Sequence, residues 1–216
     1  MSSLAALNAQ YLTYLAKYPL LTKSVTAGIL GALNEIIASV VTGDVPEITL
    51  FGDVKVKNLL TKKTIGLAIY GFCLLTPISH YMYGIINEIF AGPPSTLKKV
   101  LQILTSLLTV TSSVCAVYTS CVGLLNNYVP GKAGSISGEI ANILNIIKVS
   151  MKTNYLNVYK TSFVTSGLSL IIAQKYLPPQ LWVVFFSVVG FVVGTFQNAK
   201  MKRRNMALRK AQEKKD

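Results

Sequence analysis

From Ile65 to Phe90 the chain meets no charged side chain until Glu88. At about 1.5 Å of rise per residue, a helix over this stretch crosses the ~30 Å hydrocarbon core of a bilayer. Its middle nevertheless carries Pro77 and the only histidine of the protein, His80. Proline lacks the backbone donor and crowds the carbonyl one turn back, so the sequence predicts a bend near Pro77, a structural kink. Thr76, His80, Tyr83 and Asn87 follow one another at i, i+4, i+7 and i+11, which places all four on one helix face. Lipid cannot satisfy a polar stripe, so that face must meet other helices or water.

Composition points the same way. The chain is 51% hydrophobic and 13% charged, with a mean hydropathy of +0.49, whereas soluble domains hold about 25% charged residues. The expected fold is therefore all-α: a polytopic integral membrane helical bundle of four to five transmembrane helices, preceded by an N-terminal amphipathic helix. Residues 1–199 form a single membrane domain, and residues 200–216 a basic C-terminal tail. Net charge is +13, and eight of the 21 lysines and arginines lie in that tail. After an apolar span, such a tail belongs at a membrane surface and not on nucleic acid. Lys202, Arg203, Arg204, Arg209 and Lys210 are its targeting or membrane-surface candidates. Cys73, Cys115 and Cys121 all sit in apolar segments without a CxxC pair, as reduced core residues do.

Leu7, Tyr11, Tyr14, Leu15 and Tyr18 repeat at helical spacing and predict the amphipathic lead-in. The first span, Leu20–Val41, gathers Gly28, Gly31, Glu35 and Ser39 on one small or polar face. Small residues allow close helix approach, and Glu35 becomes an inward carboxylate, either a hydrogen-bonded packing residue or part of a polar pathway. Thr42–Lys63 reads as a loop punctuated by Gly43, Pro46 and Gly52. In the third span, Val100–Leu125, Gln102, Thr105, Ser106, Thr109 and Ser112 open a hydroxyl-rich stripe that runs on to Gly123. Such a stripe lines a water-filled path or glues helices together. Asn126–Asn154 reads as a mixed region with a helical start near Glu139. Two further spans follow, Tyr155–Leu177 and Leu181–Ala199, turned about Pro178-Pro179; the last opens on Trp182 as an interfacial anchor and contains Gly190-x-x-x-Gly194. Five crossings put most lysines of the first loop, of Asn126–Asn154 and of the tail on one side, which the positive-inside rule assigns to the cytosol. A four-crossing bundle with Tyr155–Leu177 partly in the interface is the alternative.

The run Thr76-Pro77-Ile78-Ser79-His80-Tyr81-Met82-Tyr83 resembles the Gly-Pro-x-x-His-x-Trp-Tyr signature of the Mpv-seventeen and peroxisomal-membrane-protein-twenty-two family. Pro77, His80 and Tyr83 match, while Thr76 replaces the glycine and Met82 the tryptophan. The opening Tyr11-Leu12-x-Tyr14-Leu15-x-x-Tyr18-Pro19-Leu20 is also similar to that family's. Asn34-Glu35 stand where the family carries Gly-Asp, and Tyr159-Lys160 where it carries Trp-Pro. The closing Ala173-Gln174-Lys175-Tyr176-Leu177-Pro178-Pro179 and basic tail look like a fungal peroxisomal branch. The resemblance implies a peroxisomal membrane location, with the mitochondrial inner membrane as alternative. It also implies a pore-like role in passive permeability for small metabolites, with Glu35, Thr76, His80, Tyr83, Asn87, Gln102, Thr105, Thr109 and Ser112 as pore-face candidates.

The alternative role is a structural or interaction protein organising the membrane. Candidate partners are the lipid bilayer, a second copy of the chain and a peroxisomal import receptor; nucleic acid is not among them. With one histidine and no clustered nucleophile or ligand set, no enzyme, metal or cofactor is expected. His80 is expected to hydrogen-bond the gap opened by Pro77, or to act as a titrating gate.

Overall fold

The computed structural model describes residues 3–50, 54–93, 95–131, 134–177 and 182–213. The described residues form six helices and one hairpin. Helix α1 spans Ser3–Lys17 and α2 Pro19–Thr42; strands β1 (Glu47–Leu50) and β2 (Val54–Lys57) follow. Helix α3 is Lys62–Ile89 and α4 is Thr96–Asn127. Helix α5 covers 136–176, and α6 is Trp182–Glu213. Among these, α2, α3 and α4 are long and apolar enough to cross a membrane. The reversal expected at Pro178-Pro179 and the side chain of Trp182 lie outside the described residues.

The helix ends follow local chemistry. Pro19 occupies the first turn of α2, where its missing N–H has no intrahelical partner to lose. Gly43 closes α2 in the left-handed region at φ 72°. Thr61 and Thr64 form a reciprocal capping box before α3, and Ser95 and Ser135 accept backbone N–H groups at the starts of α4 and α5.

Three helices contain one π-helical turn each: Tyr70–Leu75 in α3, Leu107–Thr111 in α4 and Met151–Tyr155 in α5. In α3 the π turn ends just before Thr76-Pro77, so the irregularity lies ahead of the proline and the helix continues through it. The missing Pro77 donor falls where wider i→i−5 bonding returns to the α pattern.

Two segments depart from expectation. The expected loop Thr42–Lys63 contains the antiparallel hairpin, with Ile48 opposite Val56 and Glu47 opposite Lys57. The mixed region before Tyr155 is instead the first half of α5, which starts at Ile136 and runs unbroken to Tyr176. Gly138 reads as a breaker, yet a glycine in a first helical turn costs only about 1 kcal/mol, and the Ser135 cap offsets it. Across the loop before α5, the Tyr128 hydroxyl donates to Glu139, and this bond raises the tyrosine pKa.

The packing is inverted relative to a water-soluble core. Ser24, Glu35, Ser39, Thr64, Thr76, Ser106, Thr119, Ser150, Ser169, Gln197, Asn198 and Lys202 are buried, while Leu21, Ile29, Val40, Ile69, Leu108, Ile171 and Phe196 face outward. That distribution suits a hydrocarbon solvent, where outward apolar groups cost nothing and polar groups must find partners inside. Helices α2 and α3 cross backbone to backbone: a Cβ on Gly31 would lie 2.5 Å from the Leu67 carbonyl, and one on Gly71 would collide with that of Ala27. Of the Gly190-x-x-x-Gly194 pair only Gly194 is closely packed: a Cβ there would lie 2.7 Å from Asn34 Nδ2 of α2, whereas one on Gly190 would meet nothing within 4 Å. The apolar centre is built from Leu67, Tyr70, Cys115, Val122, Val158 and Met201.

Candidate functional site: a buried charge cluster between the second and last helices

Helix α2 runs against α6, and near its end both present polar groups inward. Glu35 and Lys202 form an ion pair at 2.6 Å with each side chain 3% exposed. The second carboxylate oxygen of Glu35 accepts from Asn198 Nδ2 at 2.7 Å, and Asn198 also donates to Asn34 Oδ1 at 3.2 Å. Ser39 Oγ accepts from Lys202 Nζ at 2.7 Å and lies 3.3 Å from Glu35 Oε1 as donor. Just beyond the end of α2, Asp44 reaches Lys202 at 3.3 Å and Lys63 at 4.0 Å. Glu35 and Ser39 are one turn apart on α2, with Asn34 beside Glu35, and Asn198 and Lys202 are one turn apart on α6, so the spacing of each helix supplies half of the cluster.

Removing two charges from water costs several kcal/mol per ion, and only close, fully hydrogen-bonded geometry offsets it. Here each carboxylate oxygen of Glu35 and the Lys202 ammonium have partners. A cavity of about 10 Å³ lies beside the cluster, lined by Glu35, Lys63, Leu67, Val122, Asn126 and Asn198; it has room for about one water.

Glu35 is thus the one pore-face candidate within this cluster. The sequence groups Lys202 with the surface tail, but the structure places it inside, because α6 continues without a break from the apolar span into the tail and lays that residue over Glu35. The signal was present as Asn198-x-x-x-Lys202 at one-turn spacing after an uncharged run. Arg203 and Arg204 are exposed, and Arg204 reaches Asn154 Oδ1 at 3.1 Å and the Thr153 carbonyl at 3.3 Å. The side chains of Arg209 and Lys210 lie outside the described ones.

The remaining candidates lie elsewhere, and of those on different helices Asn87 and Gln102 meet. Thr76 is buried and its hydroxyl donates to the Gly71 carbonyl in the π turn at 3.1 Å, close to the Lys23 carbonyl at 3.5 Å. Lys23 and Glu35 are three turns apart on α2, or about 18 Å. Among the described residues the hydrogen bond at the π turn comes from Thr76. His80 has no hydrogen-bond partner there and sets its ring edge-on to Tyr81 at 5.7 Å between centroids. Tyr83 is 44% exposed. Asn87 accepts from Gln102 at 2.9 Å, on the exposed side where α3 meets α4.

Within the stripe of α4, Ser106, Thr109 and Ser120 return their hydroxyl protons to carbonyls one turn earlier, and that of Thr109 goes to Thr105. Ser112 bonds Tyr155 across to α5 at 2.7 Å. The Tyr159 hydroxyl donates to the Leu107 carbonyl in the π turn of α4 at 3.4 Å. A larger cavity of about 270 Å³ lies under α1, lined by Tyr11, Thr26, Leu30, Ser187, Val188 and Phe191, and none of the pore-face candidates borders it.

An all-α bundle with apolar faces outward and a buried ion pair between α2 and α6 is a membrane protein. The sequence pattern of the Mpv17 / PMP22 family matches residues 143–198. The Woronin body membrane protein wscA of Aspergillus fumigatus is 35% identical over 94% of this chain and 81% of its own length. The Woronin sorting complex protein of Neurospora crassa is 30% identical, and the match spans 57% of that protein. The peroxisomal membrane protein PMP22 of Arabidopsis thaliana is 20% identical over 94% of this chain. The chain belongs to the Mpv17 / PMP22 family. No solved structure matches it.

Proposed function

We propose that this chain is a structural protein of a peroxisome-related membrane, which organises that membrane or sorts partners within it, in place of a solute pore. The observation that carries this reading is the state of the inward polar groups. Glu35, Ser39, Asn198 and Lys202 saturate one another, and Ser106, Thr109, Ser112 and Ser120 of α4 return their protons to their own helix or bond to α5, whereas the buried hydroxyls of Tyr118 and Thr119 have no partner among the described residues. A pore needs polar groups free to replace the hydration shell of a solute. Groups already paired serve packing. The names of the two fungal relatives, a Woronin body membrane protein and a sorting complex protein, support the same reading.

The test is solute release from liposomes loaded with small organic acids and sugars and reconstituted with the pure protein. Release at the protein-free rate is expected across a range of protein-to-lipid ratios. Release that rises with protein content would establish the pore reading instead.

A further inference from the structure

We infer that the β1–β2 hairpin is a membrane-interface element, seating the face that carries Ile48 and Val56 in the headgroup region of an anionic leaflet. Its position follows from connectivity. The hairpin starts just after α2 ends at Gly43 and finishes just before α3 begins at Lys62, so it stands where two spans leave the bilayer on one side. Its base is fixed to the bundle by Asp44, which meets Lys202 and Lys63, and is closed by the Asn58 N–H donating to the Pro46 carbonyl at 2.8 Å.

The hairpin is amphipathic by register. Ile48 and Val56 are directly opposite on one face, both 43% exposed, while the Glu47 and Lys57 pair sits on the other. Leu59 and Leu60, 41% and 70% exposed, extend the apolar surface toward α3. A lone two-stranded hairpin is marginal in water and gains independent stability by packing its apolar face on something. Here the sheet has only its two strands, and the ready cover is the lipid beside it.

Charge selects the lipid. Lys62 is exposed at the start of α3, two residues after Leu60, while Lys57 lies on the other face across from Glu47. Basic residues near an anionic surface each gain about 1 kcal/mol, whereas a zwitterionic surface offers no such term.

The experiment uses the full chain in liposomes containing an anionic phospholipid, with the only tryptophan replaced (Trp182→Phe) and a reporter introduced as Ile48→Trp, or separately as Val56→Trp. Phospholipids brominated near the headgroup should quench both reporters about two-fold more than Glu47→Trp on the opposite face, matching burial of ~5–10 Å. Lys62→Gln should lower that quenching, and so should zwitterionic lipid alone. Reporters open to aqueous iodide and untouched by brominated lipid would overturn the proposal. So would quenching indifferent to Lys62 and to lipid charge. Protection from both quenchers that rises with protein-to-lipid ratio would also overturn it, by assigning the face to a second copy of the chain. Circular dichroism of each variant separates these outcomes from misfolding.

Discussion

At the scale of single residues, the pair Glu35–Lys202 dominates. Its two charges are desolvated together, so removing one leaves the other buried and unpaired, at a cost of about 3–5 kcal/mol. Lys202→Met should therefore lower the thermal midpoint in detergent sharply, while Lys202→Met combined with Glu35→Gln should recover part of the loss. Arg203→Gln, which removes an exposed charge, should leave the midpoint nearly unchanged. Equal, small effects of Lys202→Met and Arg203→Gln would place Lys202 at the surface with the rest of the tail.

At the scale of elements, the crossing of α2 and α3 depends on the absence of side chains. Gly31 and Gly71 bring each helix onto the carbonyls of the other, an approach that in lipid replaces the hydrophobic effect as the source of association. Gly71→Ala should separate the helices, with a stability loss on the order of 1–3 kcal/mol. Gly190→Ala meets nothing within 4 Å and should be neutral. Thermal unfolding of both variants in the same detergent checks the contrast. A neutral Gly71→Ala would mean that the two helices are held elsewhere. The π turns belong to this scale too: Thr76 and Tyr159 each donate to a carbonyl within one, so side chains cover backbone acceptors where lipid supplies no donor.

At the scale of the molecule, α6 joins the apolar core to the basic tail in one rod of 32 residues, about 48 Å at ~1.5 Å per residue. That exceeds the bilayer core by more than half its thickness, so the rod must stand out on the tail side. A chain ending at Asn205 retains Lys202 and Arg204 and should fold and insert normally. A chain ending at Ala199 loses the partner of Glu35 and should aggregate or be degraded. Comparing the two by gel filtration in detergent, and by imaging of the tagged proteins, separates a role of the basic end in localisation from a role in folding. Equal behaviour of both chains would remove the ion pair from the account of stability.

The order of apolar runs, their length and the polar residues set at helical spacing within them were legible along the chain, because they follow from a 3.6-residue period and the thickness of a bilayer. So were the lead-in helix, the start at Pro19, the close-packing face of Gly28 and Gly31, and an inward Glu35. The family resemblance also rested on residues that can be read in order. What folding alone decided is how separate segments meet. Lys202 is one cation among eight in a basic tail until α6 is laid beside α2; then it lies over Glu35 and is buried. Which partners the stripe of α4 meets is also a matter of folding: Ser106, Thr109 and Ser120 donate to their own helix and Ser112 bonds Tyr155. Pro77 suggests a kink with His80 as donor, but a π turn lies ahead of it, and the side-chain donor there is Thr76, whose hydroxyl joins its own N–H on the Gly71 carbonyl. Spacing along one helix fixes which residues share a face. It cannot fix which face of another helix they meet, since that depends on the crossing angles and close approaches of all six together.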